Sequence, residues 1–458
     1  MPQSPEPIRR RDPRRRRDPR RRRDPRRRGD TLRRLVVDVE PLRRDRDFRM
    51  LWIGQAISGF GRQVTTIVLP YQLYVLTGTP LAIGGLALVQ VVPIMAFSLG
   101  GGVIADAVDR RRLLLATQAG LAVAGATLAG LALLPAPPVL AIYAVAFVAA
   151  GLGAIDQPAR SSAIPRLVPR ERLPAALALG QLNFQAAGVV GPAIGGAVIA
   201  TLGIAAGYAF DVVTFGAAIA ALLVIAPILP AHGAVRPSLG AIAEGLRFAR
   251  HRRAILGTFV VDLNAMVFGM PTALFPVLAL DVFHVGPAGL GLLAAAPAAG
   301  ALIGALLTGW VGRVRRTGRA VLWASAAWGL AITAFGLCTF SFPLALVFLA
   351  AAGAADVITA VLRSAIVQLL TPDTLRGRVT SIHILVVTGG PRLGDVEASA
   401  VASVAGAQLS VVSGGLLCLV GLVAIIRAFP ELTAFDMRQV TAGEAHRPEP
   451  APGIPPNG

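Results

Sequence analysis

Charged and amide side chains sit inside long apolar stretches of this chain. They are Arg62, Asp156 with Arg160, Asp211, Asp262 with Asn264, Asp356 with Arg363, and the set Arg392, Asp395 and Glu397. In hydrocarbon each charge costs roughly 2.5–3.5 kcal/mol, so such groups pair with one another, contact a polar solute or carry protons. The chemistry is not that of an enzyme. The five histidines are scattered without ligand spacing, and both cysteines, Cys338 and Cys418, lie in apolar stretches, which implies neither a metal nor a disulfide. No phosphate-binding loop or dinucleotide fingerprint occurs, so no cofactor is expected and ATP hydrolysis is excluded by motif.

The elements that must position these groups follow from composition. Of 458 residues 54% are hydrophobic and only 15% charged, against about 25% charged in soluble chains; the mean hydropathy is +0.65. About 20 apolar residues cross a bilayer core. Twelve candidate spans are found, at 49–76, 80–107, 112–134, 138–164, 173–203, 205–229, 254–283, 287–312, 319–340, 342–371, 374–404 and 408–430. The fold class expected is an all-α membrane protein. Arg62 then lies about twelve residues into span one, Asp262 and Asn264 in span seven, and Asp356 near the middle of span ten with Arg363 two turns below. Asp156 and Arg160 are spaced to neutralise each other, and Asp211 falls near the outer edge of span six, within reach of water. Arg392 and Asp395 are spaced for a helical pair, for which a structural salt bridge and a proton relay are both open. Asp262 and Asp356 have no arginine within a turn in sequence and are the first candidates for proton coupling, with Arg392 as a mobile counter-charge and Glu397 next.

Arginine distribution sets the orientation. None of the 44 basic residues is lysine, and the connectors alternate. "LTGTP", "LPAPP", "LGIAAG", "HVGPAG", "FSFP" and "AGAQ" hold no arginine, whereas the intervening connectors carry Arg110 to Arg112, Arg166 to Arg172, Arg247 to Arg253, Arg313 to Arg319, and Arg376 with Arg378. By the positive-inside rule both termini are expected in the cytoplasm and the protein in the cell's inner (plasma) membrane. The first apolar run is too long for a cleavable signal peptide.

Residues 1–49 hold 20 arginines against 9 acids, a net +11 out of +19 for the chain, with Asp-Pro repeating every six residues at Asp12, Asp18 and Asp24. Proline at that spacing breaks helices and like charges repel, so 1–47 is expected to be a disordered cytoplasmic tail. Contact with anionic lipid headgroups and a simple-sequence expansion are both open readings. No aromatic or folded module supports nucleic-acid binding.

The chain also repeats. Ser162-Ala163-Ile164 returns as Ser364-Ala365-Ile366, 202 residues on, and "GPAIGG" from Gly191 is echoed by "GPRLGD" from Gly390. Two six-helix bundles, 48–229 and 254–430, are expected, joined by a cytoplasmic linker at 230–253 and followed by a tail at 431–458. Within the linker, "LGAIAEGLRFARHRR" sets Ile242, Leu246 and Phe248 against Arg247, Arg250 and Arg253, as an interfacial helix would.

"GVIADAVDRRR" resembles the signature between spans two and three of the major facilitator superfamily. Gly102, Asp106, Arg110 and Arg111 match it, while Ala107 and Asp109 depart from it. "GPAIGG", with Gly191, Pro192, Gly195 and Gly196, resembles the fifth-span signature of drug/proton antiporters. "LRRDRDFRMLWIGQAIS", "IDQPARSSAIPRLVP" and "TPDTLRGRV" are most similar to the enterobactin-exporter and macrolide-efflux branch. The resemblance implies two pseudo-symmetric bundles that rock in alternating access. It implies that Asp106 meets the start of span eleven as a latch and suggests a pair of Arg110 with Asp156; the other reading is that Arg110 to Arg112 only set topology. The resemblance also implies a monomeric proton-coupled exporter of an amphipathic organic small molecule, such as a siderophore or a macrolide-like compound. A metabolite importer or facilitator and a non-transporting membrane sensor are the alternatives.

Overall fold

The computed structural model describes residues 38–228, 246–308 and 314–436. The Asp-Pro tail, most of the linker with Ile242, and the last residues lie outside them. The side chains of Gly102 and Asp106, and those near the start of span eleven, also fall outside what is described, and with them the latch.

Among the described residues there is no strand, and twelve long helical segments follow the candidate spans to within a few residues. They are α1 (Arg46–Thr77), α2 (Pro80–Ala107), α3 (Arg110–Ala132), α4 (Val139–Leu167), α5 (Leu173–Leu202), α6 (Ile204–Val224), α7 (Arg253–Val282, interrupted), α8 (Gly286–Leu307), α9 (Thr317–Leu337), α10 (Phe342–Leu370), α11 (Asp373–Ala405) and α12 (Ala407–Ala428). Ten of them are long and apolar enough to cross a membrane. The other two, α1 and α11, carry Arg62, and Arg392, Asp395 and Glu397. Polar composition in these helices has a structural reason: both line the space between the halves.

The internal repeat is visible in the backbone. Gly203 joins α5 to α6 at φ 86°, and Gly406 joins α11 to α12 at φ 87°. Both turns need a backbone that side chains with a Cβ rarely adopt. The α6 exit is tied to the start of α3. Asp109 accepts from the Arg111 N–H (2.9 Å) and the Ile228 N–H (3.1 Å), while Arg111 donates to the Leu222 and Leu223 carbonyls at 2.9 and 2.8 Å. A guanidinium on a helix's last carbonyls satisfies groups that have no partner within the helix. Arg111 is thus a cap for the end of α6.

Span seven is not one helix. It stops at Phe268, turns through Thr272–Leu274 and Phe275–Val277, and ends in the wide turn Leu278–Val282. Pro271 and Pro276 each remove an N–H from this stretch. Broken backbone at membrane depth needs partners from neighbouring helices. Trp328 of α9 donates to the Gly269 carbonyl (3.0 Å), and Asp395 of α11 accepts from the Ala273 N–H (3.0 Å) and the Thr272 hydroxyl (2.6 Å). Beyond α12, Leu432 and Phe435 are buried against Val321 and Leu422, so the chain after 430 folds back onto the second bundle before its end.

Candidate functional site

The two bundles, α1–α6 and α7–α12, meet most closely at the end away from the linker. There Gly196 of α5 lies against Gly291 and the Pro287 carbonyl of α8, and Gly84 of α2 against Ser399 of α11. The Tyr74 hydroxyl of α1 donates to the Asp281 carboxylate of α7. A Cβ at Gly196 would sit 2.8 Å from the Gly291 Cα, a distance that atoms do not tolerate. In the same motif Gly191 faces Gln63, and a Cβ added at Gly195 would sit 3.2 Å from the Val64 Cα of α1. The span-five motif therefore packs α1 on one face and the opposite bundle on the other.

Between the bundles lies a cavity of about 370 Å³, with an apolar wall from the second half: Met270, Phe275, Trp328, Ile332 and Leu349. Among the described residues Asp356 is the one charged residue on its lining. Toward the linker it continues as a space of about 540 Å³ lined by α1, α4 and α5, with Gln55, Arg62, Gln157 and Gln181 on its wall. Phe184 borders both spaces and is 67% exposed. A side pocket of about 140 Å³ opens between α1, α2, α7 and α11 beside Arg392, Asp395 and Gln90.

In the first half the buried Asp156 is the hub. It accepts from Thr117 and Gln118, each at 2.9 Å, and from Arg160 Nε and Nη2 at 3.1 and 2.5 Å, with Arg62 at 3.7 Å. The expected Arg110–Asp156 pair is not formed. Arg110 starts α3 and reaches the Ser162 hydroxyl (2.9 Å), six residues nearer the linker end of α4 than Asp156. Asp211 is also corrected: it is buried rather than water-exposed, because it faces α1 and accepts from the Thr65 hydroxyl at 2.6 Å.

In the second half Asp262 is not unpaired. Arg363 of α10 forms an ion pair with it, both side chains at 5% exposure or less. The partners are 101 residues apart, which is why neither shows one within a helical turn in sequence. Asn264, two residues on, points to the other side of α7, where it donates to the Cys418 carbonyl of α12 (2.9 Å), so it holds two helices together outside the cavity. The polarity of the two halves is reversed. In the first a base on α1 faces an acid on α4, and in the second an acid on α7 faces a base on α10.

Arg392 does not reach Asp262 or Asp356. It lies 3.6 Å from Asp395, whose other oxygen caps the second part of α7. Glu397 is half-buried on the stripe of the exposed Leu393 and makes no hydrogen bond or ion pair among the described residues. Asp356 makes none either, although Arg363 and Asp262 are within its electrostatic reach.

Twelve helices in two repeats around a central cavity define a membrane carrier of the major facilitator fold. The chain belongs to the transmembrane secretion effector family, whose model matches residues 37–451. Among its relatives is the enterobactin exporter EntS of Citrobacter koseri, 26% identical over 390 residues, or 85% of this chain and 92% of the relative. The EntS of Shigella boydii is 27% identical over 423 residues, or 90% and 99% of the two chains. Solved structures of similar fold include a bacterial homologue of the iron transporter ferroportin in an inward-facing state (TM-score 0.63, 17% identity, 85% and 99% coverage). The nucleoside transporter NupG is another (TM-score 0.64, 14% identity, 85% and 99% coverage).

Proposed function

We propose that the protein is a proton-coupled exporter that moves an amphipathic organic molecule out of the cell by alternating access. The observation that carries this reading is Asp356, a carboxylate without a hydrogen bond or ion pair among the described residues, on the wall of an apolar cavity between two bundles. A group so placed can take up and release a proton as the cavity is exposed to each side in turn. On this reading the linker end, with its arginine-rich connectors, is the cytoplasmic one by the positive-inside rule, and the protein is then open inward and shut outward. Outward opening requires separating Gly196 from Gly291 and Tyr74 from Asp281, and closing the crevice beside Arg62. Such a rigid-body exchange between two packed bundles is the standard form of alternating access. The names of the relatives support export and an amphipathic cargo of siderophore type.

The test is accumulation in cells. Cells expressing the protein should hold less of a fluorescent amphipathic dye or a siderophore than control cells, and a protonophore should erase the difference. Efflux that survives the protonophore and stops on ATP depletion would reject the reading.

A further inference from the structure

Arg62 faces the crevice and Arg392 the side pocket, and neither guanidinium donates a hydrogen bond to any described residue. Arg62 has 36% of its side chain exposed, and its nearest acid, Asp156 at 3.7 Å, is already held by Arg160 at 2.5 Å. Arg392 has 34% exposed, and its nearest acid, Asp395 at 3.6 Å, already accepts from Thr272 and Ala273. Each arginine offers five N–H donors in a fixed fork, a geometry matched to carboxylate-like oxygens. They flank one residue of α1: Thr66 borders the Arg62 space, the Arg392 side pocket and the apolar cavity alike. In the Arg392 pocket the Gln90 amide oxygen is buried without a partner among the described residues. An orphaned buried acceptor costs about 1–3 kcal/mol unless something donates to it.

Resting on the reading of this crevice as a cargo site, we propose that the cargo is an anion: an acidic, hydroxyl-bearing head held between Arg62 and Arg392, with an apolar ring system against Met270, Phe275 and Trp328. The acid oxygens accept from the two guanidinium groups, and a hydroxyl donates to Gln90. The apolar body fills the wall that offers no other charge than Asp356. A cationic amphiphile of the same size would bring its charge to the two arginines and gain no partner there. The site thus selects by charge at one wall and by apolar area at the other, with Arg62 supplied by the first bundle and the Arg392 pocket lined by both.

Equilibrium dialysis of the purified full chain with two probes of one ring system tests this: hydroxynaphthoate and hydroxynaphthyl-trimethylammonium. The anion should bind at least about tenfold tighter, the size of one charge-assisted hydrogen bond. Arg62→Gln and Arg392→Gln should each remove most of that preference, and Arg392→Lys should restore part of it. Should the glutamine variants fold poorly, the comparison on the unmodified chain decides alone. Equal binding of both probes, tighter binding of the cation, or no binding of the anion overturns the proposal. None of these results bears on proton-driven efflux, so the export reading stands or falls separately.

Discussion

The carboxylate of Asp262 and the guanidinium of Arg363 form an ion pair sealed between α7 and α10, at 3% and 5% exposure. A pair this dry is weak evidence of stability as a whole, but removing one partner leaves an uncompensated charge and costs about 3–5 kcal/mol. Asp262→Asn should therefore lower the thermal unfolding midpoint of the purified protein sharply. Asp262→Leu with Arg363→Met should recover most of the loss. Thermal scans of the single and double variants decide it: a single variant as stable as the parent would mean that the pair is not structural.

That pair also shows where sequence reading stops. Helix positions were legible because apolar runs of membrane length and the arginine-rich connectors are local signals, and the bounds of α2, Pro80–Ala107, coincide with the span as read. Asp156 with Arg160 and Arg392 with Asp395 were legible for the same reason, since four and three residues along a helix place side chains together. Asp262 with Arg363, Asp211 with Thr65 and Asn264 with Cys418 were not, because each joins helices distant in sequence. The break in α7 had a local signal in Pro271 and Pro276, but what makes it tenable, Trp328 and Asp395, comes from α9 and α11.

The outward seal gives a second prediction. Ser399 is fully buried beside Gly84, so Ser399→Cys should react slowly with an impermeant thiol reagent. Native Cys338 and Cys418 are buried as well and leave the background low. Gly196→Leu should wedge α5 from α8 and raise the labelling rate several-fold, while transport falls. Unchanged labelling in that variant would mean that the Gly196–Gly291 contact does not govern opening.

Tyr74→Phe removes the hydroxyl that bridges α1 and α7 at that seal. A single hydrogen bond to a charged group contributes about 1.5–3 kcal/mol, so the same Ser399→Cys probe should label faster, with insertion into the membrane unaffected. A rate equal to that of the parent would assign the seal to glycine packing alone.

Orientation is testable with two further cysteines at exposed positions. Ala136→Cys, in the arginine-free connector, should react with an impermeant reagent added outside intact cells, and Arg170→Cys should not. The opposite pattern would invert the topology and turn the proposed exporter into an importer.

The central claim is that proton movement through Asp356 drives export. Everted membrane vesicles test it most directly, because an exporter then pumps cargo into a lumen that respiration has acidified. Vesicles carrying the unmodified chain should accumulate a fluorescent anionic amphiphile, and nigericin, which collapses the pH gradient, should release it. Asp356→Asn vesicles should bind the same compound but not concentrate it. Concentration by Asp356→Asn vesicles at the parent's rate and pH dependence would contradict the account.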